Sequence, residues 1–163
     1  MIFRYACRTA LSVAVATLAA GTARAQSSTQ TVSFAINAIN QIAFAGSPSL
    51  TVSTAIAGAP PSSVTNATAT WAVTTNQSGA KVTASIPAAM PAGLTLSSSL
   101  APPPGATSNG FQALGTVAVD LVTGITKVAQ GAMVVTYKLD ATPAAGVVSA
   151  SSRIVTYTIT GGT

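Results

Sequence analysis

Ser78-Gly79-Ala80-Lys81 matches the Ser-x-x-Lys pattern of penicillin-binding proteins and β-lactamases, in which a lysine helps to activate a serine nucleophile. That chemistry needs the two side chains one helical turn apart. Here Gly79 opens a turn and Lys81 begins an alternating strand, and no Ser-Asp-Asn or Lys-Thr-Gly partner motif accompanies them. The match reads as accidental. Hydrolytic mechanisms also want a proton carrier tuned near neutral pH, for which His, Glu and Cys are the usual choices. The sequence after Ala25 holds none of the three. Its acids are Asp120 and Asp140, and nothing in their spacing sets them either side of a substrate as a carboxylate pair must be.

The same shortage argues against metals and cofactors. Two aspartates and neutral oxygens make at best a weak calcium site. Neither a phosphate-binding loop nor a dinucleotide-binding glycine pattern is present. The expectation is therefore a protein that is no enzyme, with no catalytic residue, no cofactor and no metal site. Asn66-Ala67-Thr68 and Asn76-Gln77-Ser78 fit the N-glycosylation acceptor pattern. In a chain so rich in Asn, Ser and Thr, chance accounts for both.

The elements that carry these residues begin with a leader. Arg4 and Arg8 precede an apolar run from Ala10 to Ala20, and Ala23-Arg24-Ala25 supplies small residues at a cleavage position. This is the pattern of a secretory signal peptide over residues 1–25, cut after Ala25. The run is too short to span a bilayer, which takes about 20 residues. Cys7 lies ahead of the apolar run rather than behind it, so it is not placed as a lipoprotein cysteine, and no cysteine follows it. The expected destination is the periplasm, the cell surface or the medium, with no membrane span once the leader is removed. Residues 26–163 must then fold as one domain on a hydrophobic core alone, without disulfides.

Four cations (Lys81, Lys127, Lys138 and Arg153) stand against the two aspartates, giving the segment after Ala25 a net charge of +2. Four scattered cations form no stripe that could follow a phosphate backbone, so nucleic acid is a poor partner. A surface of Ser, Thr, Asn and Gln gives little protection against association. Self-association, or pairing with other surface proteins, is the expected behaviour.

Period-two alternation recurs along the chain. Thr31–Asn37 places Val32, Phe34 and Ile36 on one face; Gln41–Ala45 follows, and Leu50 and Val52 mark another short run. Ala57–Asn66 and Ala101–Gly110 are loops rich in Pro, Gly and Ser. Thr70–Asn76 and Lys81–Ile86, joined by Gln77-Ser78-Gly79, look like a hairpin, with Trp71 and Val73 facing the core. Gly93–Leu96 and Phe111–Leu121 add strands. Met133, Val135, Tyr137 and Leu139 share one face, and Val155, Tyr157 and Ile159 another. Val134–Leu139 and Ile154–Ile159 each contain Val-Thr-Tyr, a likeness that two strands obeying one pattern explain. About eight or nine short strands predict an all-β immunoglobulin-like antiparallel sandwich of about eight strands, with a small barrel as the alternative. Trp71, Phe34, Tyr137 and Tyr157 are assigned to the core, the tyrosine hydroxyls reaching its edge. Phe111, beside a loop, is the candidate contact residue.

Two functions fit. One is a secreted module that binds a carbohydrate or a protein. The other is a structural or adhesive subunit of a surface fibre or matrix, whose alternating N-terminal strand, through Val32, Phe34 and Ile36, completes a neighbour's sheet. The layout, with Thr31–Ile36 at its start and the Thr75-Asn76 turn followed by Lys81-Val82, loosely resembles cysteine-free bacterial fimbrial major subunits. The resemblance implies an exported immunoglobulin-like domain that assembles with copies of itself. The C-terminus, Thr158–Thr163, departs from it in lacking the penultimate tyrosine of many chaperone-assembled pilins.

Overall fold

The computed structural model describes residues 24–162, so the expected leader lies outside the described residues apart from Arg24 and Ala25. The chain divides into two units, Met1–Ala35 and Ile36–Thr163. In the first, residues 24–35 are exposed and form no regular secondary structure. The second unit holds nine strands: β1 (Asn40–Ala45), β2 (Val64–Thr75), β3 (Ala80–Ser85), β4 (Leu94–Leu100), β5 (Thr107–Ser108), β6 (Gln112–Ala113), β7 (Val119–Ile125), β8 (Val128–Ala141) and β9 (Thr156–Thr160). A single 3-10 turn, Pro143–Ala145, is the helical element among the described residues. No helix there is long and apolar enough to cross a membrane.

The strands form two antiparallel sheets, a five-stranded one ordered β1-β2-β8-β4-β6 and a four-stranded one ordered β5-β7-β3-β9. The architecture is an all-β sandwich, and the separation into two sheets decides against a barrel. Period-two patterning supplies each inner face: Trp71 and Val73 of β2, Leu100 of β4, and Met133 and Val135 of β8 belong to one core with Val82 and Ala84 of β3 and Leu121 and Ile125 of β7. Trp71 is 1% exposed, and its indole Nε1–H donates to the Ala101 carbonyl at 3.0 Å. Its single polar atom is thereby satisfied inside the sandwich.

Several expectations change. The Thr70–Asn76 and Lys81–Ile86 segments are not a hairpin, because β2 pairs with β1 and β8 while β3 pairs with β7 and β9. The turn at Gly79, with φ of 75°, carries the chain from one sheet to the other. The two apolar faces then bury each other across the core, which lying side by side would not achieve. Leu50 and Val52 belong to no strand; the region between β1 and β2 holds only an isolated bridge, Ala55 with Pro61. Thr31–Asn37 forms no strand either, and Phe34 leaves the core list at 93% exposure. Alternation provides an apolar face, but a strand exists only where another strand meets its N–H and C=O groups. The two tyrosine hydroxyls, expected at the edge of the core, belong to half-buried side chains. They meet each other, Tyr137 to Tyr157, at 2.7 Å.

Candidate strand-exchange segment and cleft

Val32, Phe34 and Ile36 are 74%, 93% and 82% exposed. Three large apolar side chains on one parity, all in water, cost the chain the stabilisation their burial brings, about 1.5–3 kcal/mol each. The chain becomes fixed just after them. The Asn76 side chain takes the Ile39 N–H on Oδ1 at 2.8 Å and donates from Nδ2 to the Asn37 carbonyl at 2.8 Å. The Asn76 N–H also donates to the Ile39 carbonyl at 3.3 Å. These three bonds extend the β1–β2 pairing past the strand ends and root the N-terminal segment at Asn37–Ile39.

A complementary feature arises from unequal strand lengths. β8 runs for 14 residues, while β9 has 5. Along the inner face of β8, Met133 and Val135 are buried but Tyr137 and Leu139 only half-buried. On β4, whose register sets Leu100 against Val135 and Leu96 against Leu139, burial fades toward the same end, from Leu100 to Leu96 and Leu94. That end carries an apolar floor with no strand opposite it. Residues 48–55, 148–153 and Val155 line the resulting cleft of about 1100 Å³, with Phe44, Met90 and Tyr157. β9 pairs on one side with β3 and is an edge strand on the other. A free edge next to an uncovered apolar face is the arrangement that accepts an added strand.

Aromatic and polar groups shape the cleft wall. Phe44 stacks on Tyr157 with centroids 3.8 Å apart and on Trp71 at 6.0 Å. The Tyr157 hydroxyl lies 2.7 Å from that of Tyr137 and 3.3 Å from Ser98 Oγ. Burial pushes both phenols above their ordinary value, Tyr157 the further. Arg153 also lines the cleft; its Nη1 donates to the Ser152 carbonyl at 3.0 Å and its Nη2 to the Ala89 carbonyl at 3.5 Å. Its Nε is buried without a hydrogen-bond partner.

The residues considered for chemistry are dispersed. Ser78 is in the turn before β3 and Lys81 within β3, where the lysine ammonium sits 3.0 Å from the Asp120 carboxylate. Asp120 lies on β7 and Asp140 on β8, in opposite sheets. Asp140 is 3.0 Å from Lys138, and the Ser63 hydroxyl donates to its other oxygen. The Ser63 hydrogen bond first, and Lys138 second, hold the Asp140 carboxyl below the usual carboxylate range. Among the described residues no three of His, Cys, Asp and Glu gather into a group that could hold a metal ion. Phe111 is 45% exposed and carries the Lys138 ammonium 5.5 Å from its ring centre. Asn66 is not in a loop but within β2, at a register shift, where its Oδ1 accepts from the Thr68 N–H and hydroxyl.

Sequence reasoning placed Val32, Phe34 and Ile36 on one apolar face but did not find Asn76 as the anchor of that segment, nor Arg153. Asn76 reads in sequence as an ordinary turn residue. Arg153 carries a signal: it has the same parity as Val155, Tyr157 and Ile159, the inward face of that strand and its approach. Comparison with protein-family models, with curated proteins and with solved structures returns no match.

Proposed function

We propose that the protein is an exported, non-catalytic structural subunit of a surface fibre or matrix, in which residues 31–36 of one copy enter the cleft beside β9 of the next. The observation that carries this reading is the exposure of Val32, Phe34 and Ile36 together. Their spacing is that of one strand face, six residues extending about 20 Å. The apolar floor at Leu94, Leu96 and Leu139 supplies a surface of matching chemistry. Main-chain hydrogen bonds to the edge of β9 supply affinity, and alternate side chains supply register. A sugar-binding module displays aromatic platforms; here Trp71 is buried and the tyrosine hydroxyls satisfy each other, which favours the structural reading. The signal-peptide pattern of residues 1–25 in the sequence supports a role outside the cytoplasm.

The test compares residues 26–163 with a form that begins at Asn37, by light scattering. Concentration-dependent oligomers from the first, and a monomer from the second that binds a peptide spanning Thr29–Asn37, are the expected results. A form 26–163 that remains monomeric at every concentration overturns the proposal.

A further inference from the structure

The root of the N-terminal segment and the cleft lie at opposite ends of β8. Where β8 begins, Val128 borders an open depression of about 370 Å³ with Ile39, Asn76 and Lys127. Where it ends, Leu139, Ala141 and then Thr142 line the cleft. Val128 and Leu139 are about 36 Å apart along the strand. Ile36, 82% exposed, is the neighbour of Asn37, whose carbonyl is held by the Asn76 side chain at the root. It cannot cover the cleft floor of its own chain, so any floor that it covers belongs to a second copy.

Resting on the strand-exchange reading, we infer that each joint includes a second contact, body against body, in which the surface around the root of one copy (Ile39, Lys127 and Val128) seats on the rim of the next copy's cleft at Pro143–Val148. The covalent chain forces the two bodies together. With Ile36 on the floor, Asn37 follows at about 3.8 Å and Ile39 within about 11 Å. The Asn76 side chain bonds both the Asn37 carbonyl and the Ile39 N–H, which leaves no slack between segment and body. The body cannot enter the cleft, so the C-terminal end of the segment stays at the mouth and its N-terminal end goes deepest. That direction is antiparallel to β9, which starts at the cleft end with Thr156 and runs to Thr160, paired with Lys81. Both surfaces carry uncovered apolar side chains. Ile39 is 40% exposed, and Val147, between the cleft-lining residues Gly146 and Val148, is wholly exposed. Their burial against each other's surfaces would strengthen a joint that the inserted strand alone would leave free to swivel.

The experiment uses the chain from Gln26 and reads assembly by light scattering against concentration, with the unfolding midpoint measured in parallel. Val147→Lys sets a second cation against Lys127 at the rim without touching the floor. It is expected to raise the concentration for half-assembly about tenfold, with the midpoint unchanged. A Gly-Ser-Gly-Ser spacer between Ile36 and Asn37 lets the segment enter while the bodies stand apart. It is expected to weaken assembly by a similar factor, and Val147→Lys then adds nothing to it. A fluorescent peptide spanning Thr29–Asn37 carries the segment without the body; its affinity for the Phe34→Ser chain, whose own donation is weakened, is expected to be the same with and without Val147→Lys. Half-assembly unmoved by Val147→Lys or by the spacer overturns the body contact and leaves strand exchange standing. Peptide binding weakened by Val147→Lys also overturns it, by placing Val147 within the segment's own site. Absence of peptide binding by the Phe34→Ser chain overturns strand exchange and the body contact with it.

Discussion

The phenol oxygens of Tyr137 on β8 and Tyr157 on β9 lie 2.7 Å apart, so the two sheets are tied across the sandwich by a hydroxyl pair at the wall of the cleft. Desolvation by burial is the chief reason both phenols ionise above their ordinary value of 10.0. Below the pH at which an unfolded tyrosine ionises, both states hold their protons and stability is independent of these groups. Above it, the unfolded chain releases protons that the folded one retains, so stability falls as pH rises toward the folded values. For Tyr157, the more buried of the two, the expected slope is about 1.4 kcal/mol per pH unit above about pH 10. Urea midpoints measured from pH 8 upward check this. The phenolate absorbance follows the same groups, since Tyr137 and Tyr157 are the only tyrosines after the expected cleavage site.

Removing one hydroxyl is expected to hurt more than removing both. Tyr157→Phe leaves the Tyr137 hydroxyl and Ser98 Oγ without this partner in a half-buried place, at an expected cost of about 1–2 kcal/mol. With Tyr137→Phe added, fewer orphaned groups remain than the sum of the single changes implies. Chemical unfolding of the two single variants and the double is expected to give a non-additive cycle of about 1 kcal/mol.

How far the sequence carried the reading follows from what each signal contains. Alternation in Met133–Leu139 and Val155–Ile159 identifies strands and their inner faces, because each face is buried by a neighbour. The same signal at Thr31–Asn37 identifies the face but not its partner, and no partner exists within a strand of the described chain. Sheet assignment was not legible at Gln77–Gly79, since a short turn serves equally to reverse a strand in its own sheet or to cross between sheets. The cleft arises from a length difference between β8 and β9 and from the register of β4, and neither is written in local composition. Arg153 was legible only as parity; that its Nε lacks a partner is a property of the packed structure.

Two glycines in left-handed conformations separate backbone strain from collision. Gly79 has φ of 75° and open space where a Cβ would point, so Gly79→Ala is expected to cost about 1–2 kcal/mol from conformation alone. Gly93 has φ of 79°, and a Cβ there would meet the Ala145 nitrogen at 2.5 Å and Thr142 Oγ1 at 2.8 Å. It also accepts the Thr142 N–H at 2.8 Å, so the 3-10 turn is seated on it. Gly93→Ala is expected to be the more damaging by at least about 1 kcal/mol. Thermal unfolding of the two variants side by side checks the order.

The Asn76 anchor makes a local expectation. Asn76→Ala removes the bonds to the Ile39 N–H and the Asn37 carbonyl but keeps the backbone bond to Ile39. Both lost bonds are exposed, so global stability is expected to fall by only about 1 kcal/mol. The Ile39 amide is expected to exchange with solvent faster by about tenfold, while Val73 and Val135 keep their protection. Hydrogen exchange resolved by residue distinguishes this loosening of the segment's root from a general loss of structure.

Phe34 and Trp71 should respond in opposite ways to truncation. Trp71→Ala empties the centre of the core and is expected to cost about 3–5 kcal/mol of folding stability. Phe34→Ser changes a side chain 93% exposed and is expected to move folding stability by less than about 0.5 kcal/mol. If the ring fills the cleft of a second copy, the same change removes about 2–3 kcal/mol from each joint, raising the concentration for half-assembly by about 30- to 150-fold. Light scattering against concentration, with the unfolding midpoint of each sample as control, reads both effects. Unchanged assembly by Phe34→Ser, and by a variant in which Val32 and Ile36 are also changed to Ser, would place the joint elsewhere on the molecule.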